Sequence, residues 1–590
     1  MEFLTQLIAT LAVVSLTGCS VARTNKDGTF ELLILHNNDM HAKFEQTSQL
    51  SGVCTEADMN AGKCYGGFAR VAYLVKQARK AAQTGEGPPV LYLNAGDTYT
   101  GSPWFAQYKW KIAAEFINAL QPDAVSLGNH EFDNGVSGLT PFIQNVTCPV
   151  LASNLILTNE PSLEVESNLM KSIILDINGT KIGVIGYLTP DTKFTAIKNN
   201  IEYIEEIEAI KTEISNLKKF NVEIFIGLGH SGFVKDLEIA KEVEDIDLII
   251  GGHTNTFLWN GPAPDIEIPE GPYPTMVKQK SGRLVPVVQA YYNTKYLGKL
   301  NLIFENGEIV RYEGNPIILD STVPEDEDVL KIIQKYQADM AKFLNVVVGS
   351  TTTILDSRKC QLKECNIGNL ISDAMVEKYA SEYNGDGWTD APVAIIQGGG
   401  IRASVAHLNY PAEITKGDLL MVLPFDGNMM RVTLNGTTIK SMLEHCVANY
   451  EPMRRRGRFL QMSGMNVVYD IENPPGNRLS EIYIRCSNCE IPKYEPLNMT
   501  AAYNVLMSSF LYYGGDGYVM FEELPKVVLN YNELLCTTEY LMKHSPVYTG
   551  EERRIVFKNE NRIILNSSAN FTVSLISFLM PLLLIITILN

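Results

Sequence analysis

Six residues of the kinds that hold divalent cations stand just past short apolar runs in the first half of this chain: Asp39, His41, Asp97, Asn129, His230 and His253. They fall in five stretches, Asp39-Met40-His41, Gly96-Asp97, Gly128-Asn129-His130-Glu131, Gly229-His230 and Gly251-Gly252-His253, with Asp133 three residues after His130. Carboxylate, amide and imidazole are hard to borderline ligands, suited to a pair of ions such as zinc or manganese. A single histidine after a strand is usually a satisfied core residue. Here four of the chain's eight histidines (His41, His130, His230, His253) hold such positions. The pattern is that of a two-metal hydrolase.

The elements that must position these ligands are visible as the apolar runs themselves, at 31–35, 90–93, 124–127, 224–228 and 246–250. A short apolar run stopped by glycine or a polar residue is the pattern of a strand in a covered sheet. Neighbouring strands lie only about 5 Å apart, so ligands at strand ends converge even when distant in sequence. Strand and helix patterns alternate over 30–320, predicting an α/β (α+β layered) domain. Within it, Ile207, Ile210, Ile214 and Leu217 share one face of a helix predicted over 205–220. A charged, proline-opened segment at 324–343 carries Val329, Ile332, Ile333 and Tyr336 at helical spacing and reads as one helix between domains. A second mixed domain is predicted over 344–558.

At 590 residues and 45 % hydrophobic content the chain is globular and long enough for two large domains. Its formal charge of −18 argues against a nucleic acid polymer as partner, while leaving small anions open because bound metals set the local field. Residues 4–16 form an apolar segment followed by Thr17-Gly18-Cys19-Ser20. It reads as a secretory signal over 1–22, and Leu16-Thr17-Gly18-Cys19 also fits a bacterial lipoprotein site. Six Asn-x-Ser/Thr sequons, at Asn145, Asn178, Asn435, Asn498, Asn566 and Asn570, favour a eukaryotic secretory protein. A second apolar segment at 571–589 ends the chain with no basic residue after it, behind Ser567-Ser568-Ala569. Residues 566–590 therefore read as a glycolipid-anchor signal, with an uncleaved tail anchor as the rival. In an oxidising compartment Cys54 with Cys64, Cys360 with Cys365, and Cys486 with Cys489 offer bridges, leaving Cys148, Cys446 and Cys536.

With these stretches in place, the chain resembles the ecto-5′-nucleotidase family within the calcineurin-like metallophosphoesterases, over about residues 32–557. The resemblance is carried by His36-Asn37-Asn38-Asp39-Met40-His41, Asn94-Ala95-Gly96-Asp97, Gly128-Asn129-His130-Glu131-Phe132-Asp133-Asn134-Gly135, Gly229-His230-Ser231-Gly232 and Gly251-Gly252-His253-Thr254-Asn255-Thr256-Phe257. It implies a metallophosphoesterase β-sandwich flanked by helices, a bridging helix and a mixed α/β substrate domain. It also implies two divalent ions, zinc first, on Asp39, His41, Asp97, Asn129, His230 and His253, with Asp97 bridging them. His130 would be the catalytic histidine and Asp133 would hold its ring.

In the second domain Asn366-Ile367-Gly368-Asn369-Leu370, Gly398-Gly399-Gly400-Ile401-Arg402, Leu423-Pro424-Phe425 and Gly514-Gly515-Asp516-Gly517 match the family's substrate motifs. By that similarity Phe425 and Phe510 sandwich the base, Asp516 takes the ribose hydroxyls and Arg402 holds the phosphate, with Asn255 and Gln397 also on the substrate. The 324–343 helix would belong to a hinge. The chain departs from the pattern in having Gln361 where vertebrate members typically carry a phosphate-binding arginine, and Gln397 where an asparagine is usual. Arg358 and Lys363 are the nearby cations that could compensate.

These features imply a 5′-nucleotidase acting on AMP and related monophosphates, on the outer face of the plasma membrane. An apyrase cutting ATP and ADP is the alternative, favoured by the altered phosphate site. A surface-binding protein that has lost catalysis fits poorly with a complete ligand set. The family's vertebrate members also bring a homodimer through the second domain into consideration.

Overall fold

The structure is a computed structural model that describes residues 13–14, 29–197, 199–451 and 455–558. The candidate signal, apart from residues 13–14, and the C-terminal tail lie outside the described residues. The chain divides after Val346 into two compact units.

In the first unit, β1 (Thr29–Asn37), β2 (Val90–Asn94) and β3 (Ala124–Ser126) run parallel at the centre of one sheet. In a second sheet, β4 (Ile224–His230) and β5 (Leu248–Ile250) run parallel beside the strand Thr180–Leu188. β1 shows why both faces must be covered. Leu32 and Ile34 join Leu91, Leu93, Leu228 and Ile250 in a core shared by both sheets, while Leu33 and Leu35 point to the opposite face. That opposite face is covered by α1 (Phe68–Thr84), α2 (Trp110–Leu120) and α3 (Gly135–Asn145) through Val71, Phe116 and Phe142. The outer face of the second sheet, through Tyr187, Phe225 and Ile249, packs on Ile210, Ile214 and Leu217 of α4 (Glu206–Leu217) and on Ile239 of α5 (Phe233–Glu242). The result is helix on sheet on sheet on helix, the layered sandwich that the alternating elements predict.

Two helix ends differ from the periodicity. The helix predicted over 205–220 stops as α-helix at Leu217, and Lys218–Phe220 tighten into a 3-10 turn closed by left-handed Asn221. The 324–343 segment forms α6 (Glu327–Leu344), because Asp326 is the residue that accepts from the Asp328 and Val329 amides. Its Val329, Ile333 and Met340 are buried in the same core as α1 and α2, so this helix is packed into the first unit.

In the second unit, β6 (Val393–Gln397), β7 (Met429–Asn435), β8 (Leu460–Ser463) and β9 (Ala502–Ser508) share a five-stranded sheet with Lys526–Val528. One side carries α7 (Asn366–Glu382) and the other α8 (Gly436–Cys446). Three disulfides close short rings, Cys54–Cys64, Cys360–Cys365 and Cys486–Cys489, each within one unit, and Cys148, Cys446 and Cys536 are buried thiols. Of the sequon asparagines, Asn145, Asn435 and Asn498 are exposed and Asn178 is half-buried; Asn566 and Asn570 lie outside the described residues. Among the described residues no helix is long and apolar enough to cross a membrane.

Candidate active site

Parallel strands of a layered sheet end together, and loops leaving their carboxyl ends meet in one crevice. Asp39 and His41 lie just after β1, Asp97 after β2, Asn129 after β3 and His253 after β5, while His230 is the last residue of β4. Two groups of potential ligand atoms converge within 4.8 Å: His41, Asp97 and His130, and Asp97, His230 and His253. Asp97 belongs to both. Asp39 joins them, its Oδ1 standing 3.7 Å from Nε2 of His41 and 3.7 Å from Nε2 of His230. Asn129 enters through its Oδ1, 2.9 Å from Nδ1 of His253.

The loops are bent hard to achieve this. Asp39, His41, Asp97 and His253 all have left-handed backbones, with φ between 48° and 76°. Such conformations cost non-glycine residues energy and persist only where surroundings enforce them. Gly128 and Gly252 show how close the loops come. A Cβ on Gly128 would collide with Oδ1 of Asp97, and one on Gly252 would stand 2.7 Å from Nδ1 of His230.

Imidazole orientation follows from hydrogen bonds on the far side of each ring. Nδ1 of His230 is 2.7 Å from the Ala95 carbonyl and Nδ1 of His41 is 3.0 Å from the Thr100 carbonyl, so each donates there and turns Nε2 toward Asp97. Nε2 of His230 is wholly buried, 2.8 Å from Oδ2 of Asp97 but misaligned for a hydrogen bond. An imidazole nitrogen aimed between two carboxylates with no aligned partner is what a cation ligand looks like, and the mixed carboxylate, amide and imidazole set suits a divalent ion. The electrostatics agree. Burial pushes the Asp39 carboxyl up to about 6, against the pull of His230. Burial works the same way on Asp97, yet the imidazoles of His230 and His130 hold it well below the usual carboxylate range. Burial disfavours a proton on His230, but the charges of Asp97 and Asp39 outweigh it and raise the ring to about 10. A proton on His230 thus answers negative charge that a cation would otherwise meet.

His130 opens a 3-10 turn (His130–Phe132), in which residues three apart eclipse. Asp133 therefore lies beside it, Oδ2 2.9 Å from Nδ1 of His130, while Nε2 of His130 is 3.9 Å from Oδ2 of Asp97. Glu131 stands inside the Gly128–Gly135 run without the position of a candidate ligand. Its buried carboxylate accepts four backbone N–H groups, from Asp97, Thr98, Tyr99 and Gly128, and so ties the β2 loop to the β3 loop. Burial and the Asp97 charge push that carboxyl up to about 7, against the N–H donors. Asn38 is a second omission: its amide donates to Oδ2 of Asp39, which also receives the His253 N–H. Nothing in residue spacing announces either role, since Glu131 is held by backbone amides of two loops and Asn38 is fixed by the Ala290 N–H and the Tyr291 carbonyl. Asn255, two residues past His253, is left-handed at φ 55°, with a buried Oδ1 that has no hydrogen-bond partner.

The second unit gathers its own set. Gln397 ends β6, its Oε1 buried without a hydrogen-bond partner, and the turn Gly398–Gly400 follows. Nη1 of Arg402 reaches back to the Gly399 carbonyl at 3.4 Å, and its guanidinium lies 5.9 Å from the Phe425 ring centre. The Phe425 and Phe510 loops are joined by a 2.9 Å bond from Ser509 N–H to the Asn428 carbonyl. Gly515 leaves room only for the Phe510 ring, and Asp516 follows it directly. Both phenylalanines are partly buried. Arg358 does not stand in for a guanidinium at Gln361, because it is forked onto Asp356 at 2.7–3.1 Å. Lys363 gives its backbone carbonyl to Gln461.

Relatives share both units. Residues 32–257 match the family described as calcineurin-like phosphoesterase, and residues 347–523 match the 5′-nucleotidase C-terminal domain. The chain is 43 % identical over 556 residues to Protein 5NUC of Lutzomyia longipalpis, covering 93 % of this chain and 96 % of that one. It is 39 % identical over 536 residues to the 5′-nucleotidase of Homo sapiens, covering 90 % and 91 %. The crystal structure of the 5′-nucleotidase precursor from Thermus thermophilus superposes with a TM-score of 0.80 at 29 % identity, covering 90 % of this chain and all of that one. The chain therefore belongs to the 5′-nucleotidase family, metal-dependent phosphohydrolases that join a calcineurin-like phosphoesterase unit to a nucleotidase C-terminal unit.

Proposed function

We propose that this enzyme removes the 5′ phosphate from nucleoside monophosphates, AMP foremost, outside the cell. The observation that carries the reading is the sharing of Asp97 between two groups of potential ligands, each with two buried members. Asp39, His41, Asp97, Asn129, His230 and His253 would hold two divalent ions, zinc in preference to manganese on the strength of the imidazoles. Such a pair, when bound, draws charge from the phosphoryl group and makes water a nucleophile at neutral pH.

The rest is done by side chains. Asp133 accepts from Nδ1 of His130 and so fixes the ring with Nε2 turned to the reacting phosphoryl oxygens, where it donates as their charge grows. Arg402 offers a planar fork that matches two phosphate oxygens. Phe425 and Phe510 present flat faces to the base, and the Asp516 carboxylate accepts from the ribose diol. Asn255 and Gln397, each with an unmatched buried oxygen, are ready acceptors for substrate hydroxyl or water.

An apyrase activity has less support, because the relatives that share nearly the whole chain are named nucleotidases. Phosphate release from AMP, ADP and ATP, with zinc and with chelator, separates the readings. AMP as the best, chelator-sensitive substrate supports the nucleotidase; ADP and ATP consumed while AMP accumulates would establish the apyrase. Release without any chelator sensitivity would remove the two-metal mechanism. Three short-ring disulfides suit an oxidising compartment. The signal at 1–22 and the tail at 566–590 would deliver the enzyme to the outer leaflet on a glycolipid. Phosphatidylinositol-specific phospholipase C should then free the activity from intact cells, and retention would favour a tail anchor. A homodimer through the second domain is open to sedimentation.

A further inference from the structure

A chain of net charge −18 places four arginines within five positions, Arg454-Arg455-Arg456-Gly457-Arg458. From Arg455 onward this segment is threaded through the substrate side of the second unit. The Arg456 N–H donates to the Gln361 carbonyl at 3.1 Å, Gly399 N–H donates to the Gly457 carbonyl at 2.9 Å, and Gly398 N–H donates to the Phe459 carbonyl at 2.6 Å. The Tyr518 hydroxyl donates to the Arg458 carbonyl at 2.7 Å. A Cβ on Gly457 would stand 3.4 Å from Oδ1 of Asp516 and 3.7 Å from Cα of Gly399. The segment is thus held simultaneously against Gln361, the Gly398–Gly400 turn and Asp516. Arg402 is tied to the same turn through the Gly399 carbonyl.

A phosphate monoester near neutral pH carries close to two negative charges, and one guanidinium answers only part of them. The Cys360–Cys365 ring offers Gln361 at this place, and Arg358 is committed to Asp356. Arg456 is half-buried, and among its contacts Nη2 stands 3.6 Å from Oε1 of Glu451.

Resting on the nucleotidase reading above, we propose that Arg456 is a phosphate-binding residue of this enzyme. It brings to the Gly398–Gly400 turn, from the 455–459 segment, the second positive fork that the Cys360–Cys365 ring lacks. Steady-state kinetics on the full chain test this with wild type, R456Q, Q361R and the double variant Q361R/R456Q. Inorganic phosphate and adenosine serve as product inhibitors. Loss of one charged fork should raise KM for AMP and Ki for phosphate by about tenfold in R456Q, with kcat changed by less than about threefold and Ki for adenosine unmoved. Because Gln361 is bonded to Arg456 through the backbone, Q361R should restore much of that loss in the double variant. KM in R456Q within about twofold of wild type would overturn the assignment. So would parallel rises for phosphate and adenosine, which mark a collapsed segment, or a loss that Q361R leaves uncorrected. Wild type that releases no phosphate from AMP would instead sink the nucleotidase reading itself.

Discussion

Glu131 draws amides from two loops onto one carboxylate, and those loops carry Asp97 and Asn129. Replacing it by Gln keeps its size but turns an NH2 group toward two of the N–H donors. Groups that orient metal ligands typically govern affinity by about 10–100-fold. Glu131→Gln should therefore weaken zinc binding to the metal-stripped protein by that factor, read by calorimetric titration; unchanged affinity would show that the loops hold themselves. His130→Gln should leave KM for AMP nearly constant and lower kcat by about 10²–10³, the usual cost of one charge-stabilising donor. Asp133→Asn should lower kcat by less, since the ring remains and only its orientation loosens. At this scale the candidate ligands are legible because strand ends confine them, whereas Glu131 and Asn38 are not. Glu131 is held by main-chain amides and Asn38 by the main chain of Ala290 and Tyr291, partners that carry no residue identity.

The elements divide in the same way between what periodicity announces and what capping decides. Apolar runs marked β1 to β5 because parallel strands buried on both faces tolerate little else. Helix ends were less visible. Pro324 suggested the start of α6, but the side chain that satisfies its first amides belongs to Asp326. Asn435 shows the energetic side of this. It caps α8 by accepting from Thr438 N–H at 2.8 Å, and it is also a sequon asparagine. In protein made without glycosylation, Asn435→Ala should destabilise the second unit by about 1 kcal/mol, measured by denaturant unfolding. No loss would mean that water replaces the cap fully.

For the whole molecule, the candidate metal ligands all lie in the first unit and the candidate base and ribose contacts in the second. Zinc should therefore stabilise the two units unequally. At a free metal concentration 100 times Kd, mass action adds about 2.7 kcal/mol to the unit that binds it. Scanning calorimetry with and without chelator should show one transition moving and the other staying; a common shift would mean that the units melt together. What sequence could not supply at this scale is the wiring within the second unit. The contacts of Arg456 with Gln361, and of Gly457 with Gly399 and Asp516, join residues 95, 58 and 59 positions apart in sequence with no periodic signal.

The disulfides extend this division of labour to redox state. Their rings span only 10, 5 and 3 positions, so each restrains a small part of the unfolded chain, and none contains a candidate metal ligand. The Cys360–Cys365 ring does contain Gln361, against the Gly398 turn, and Glu364, whose carboxylate receives the Glu552 and Ile555 amides. A mild reductant should raise KM for AMP before it lowers kcat, and equal loss of both would refute the separation. An enzyme built this way tells oxidising from reducing surroundings through its grip on substrate, so a molecule still in a reducing environment would be chemically competent yet slow at dilute nucleotide.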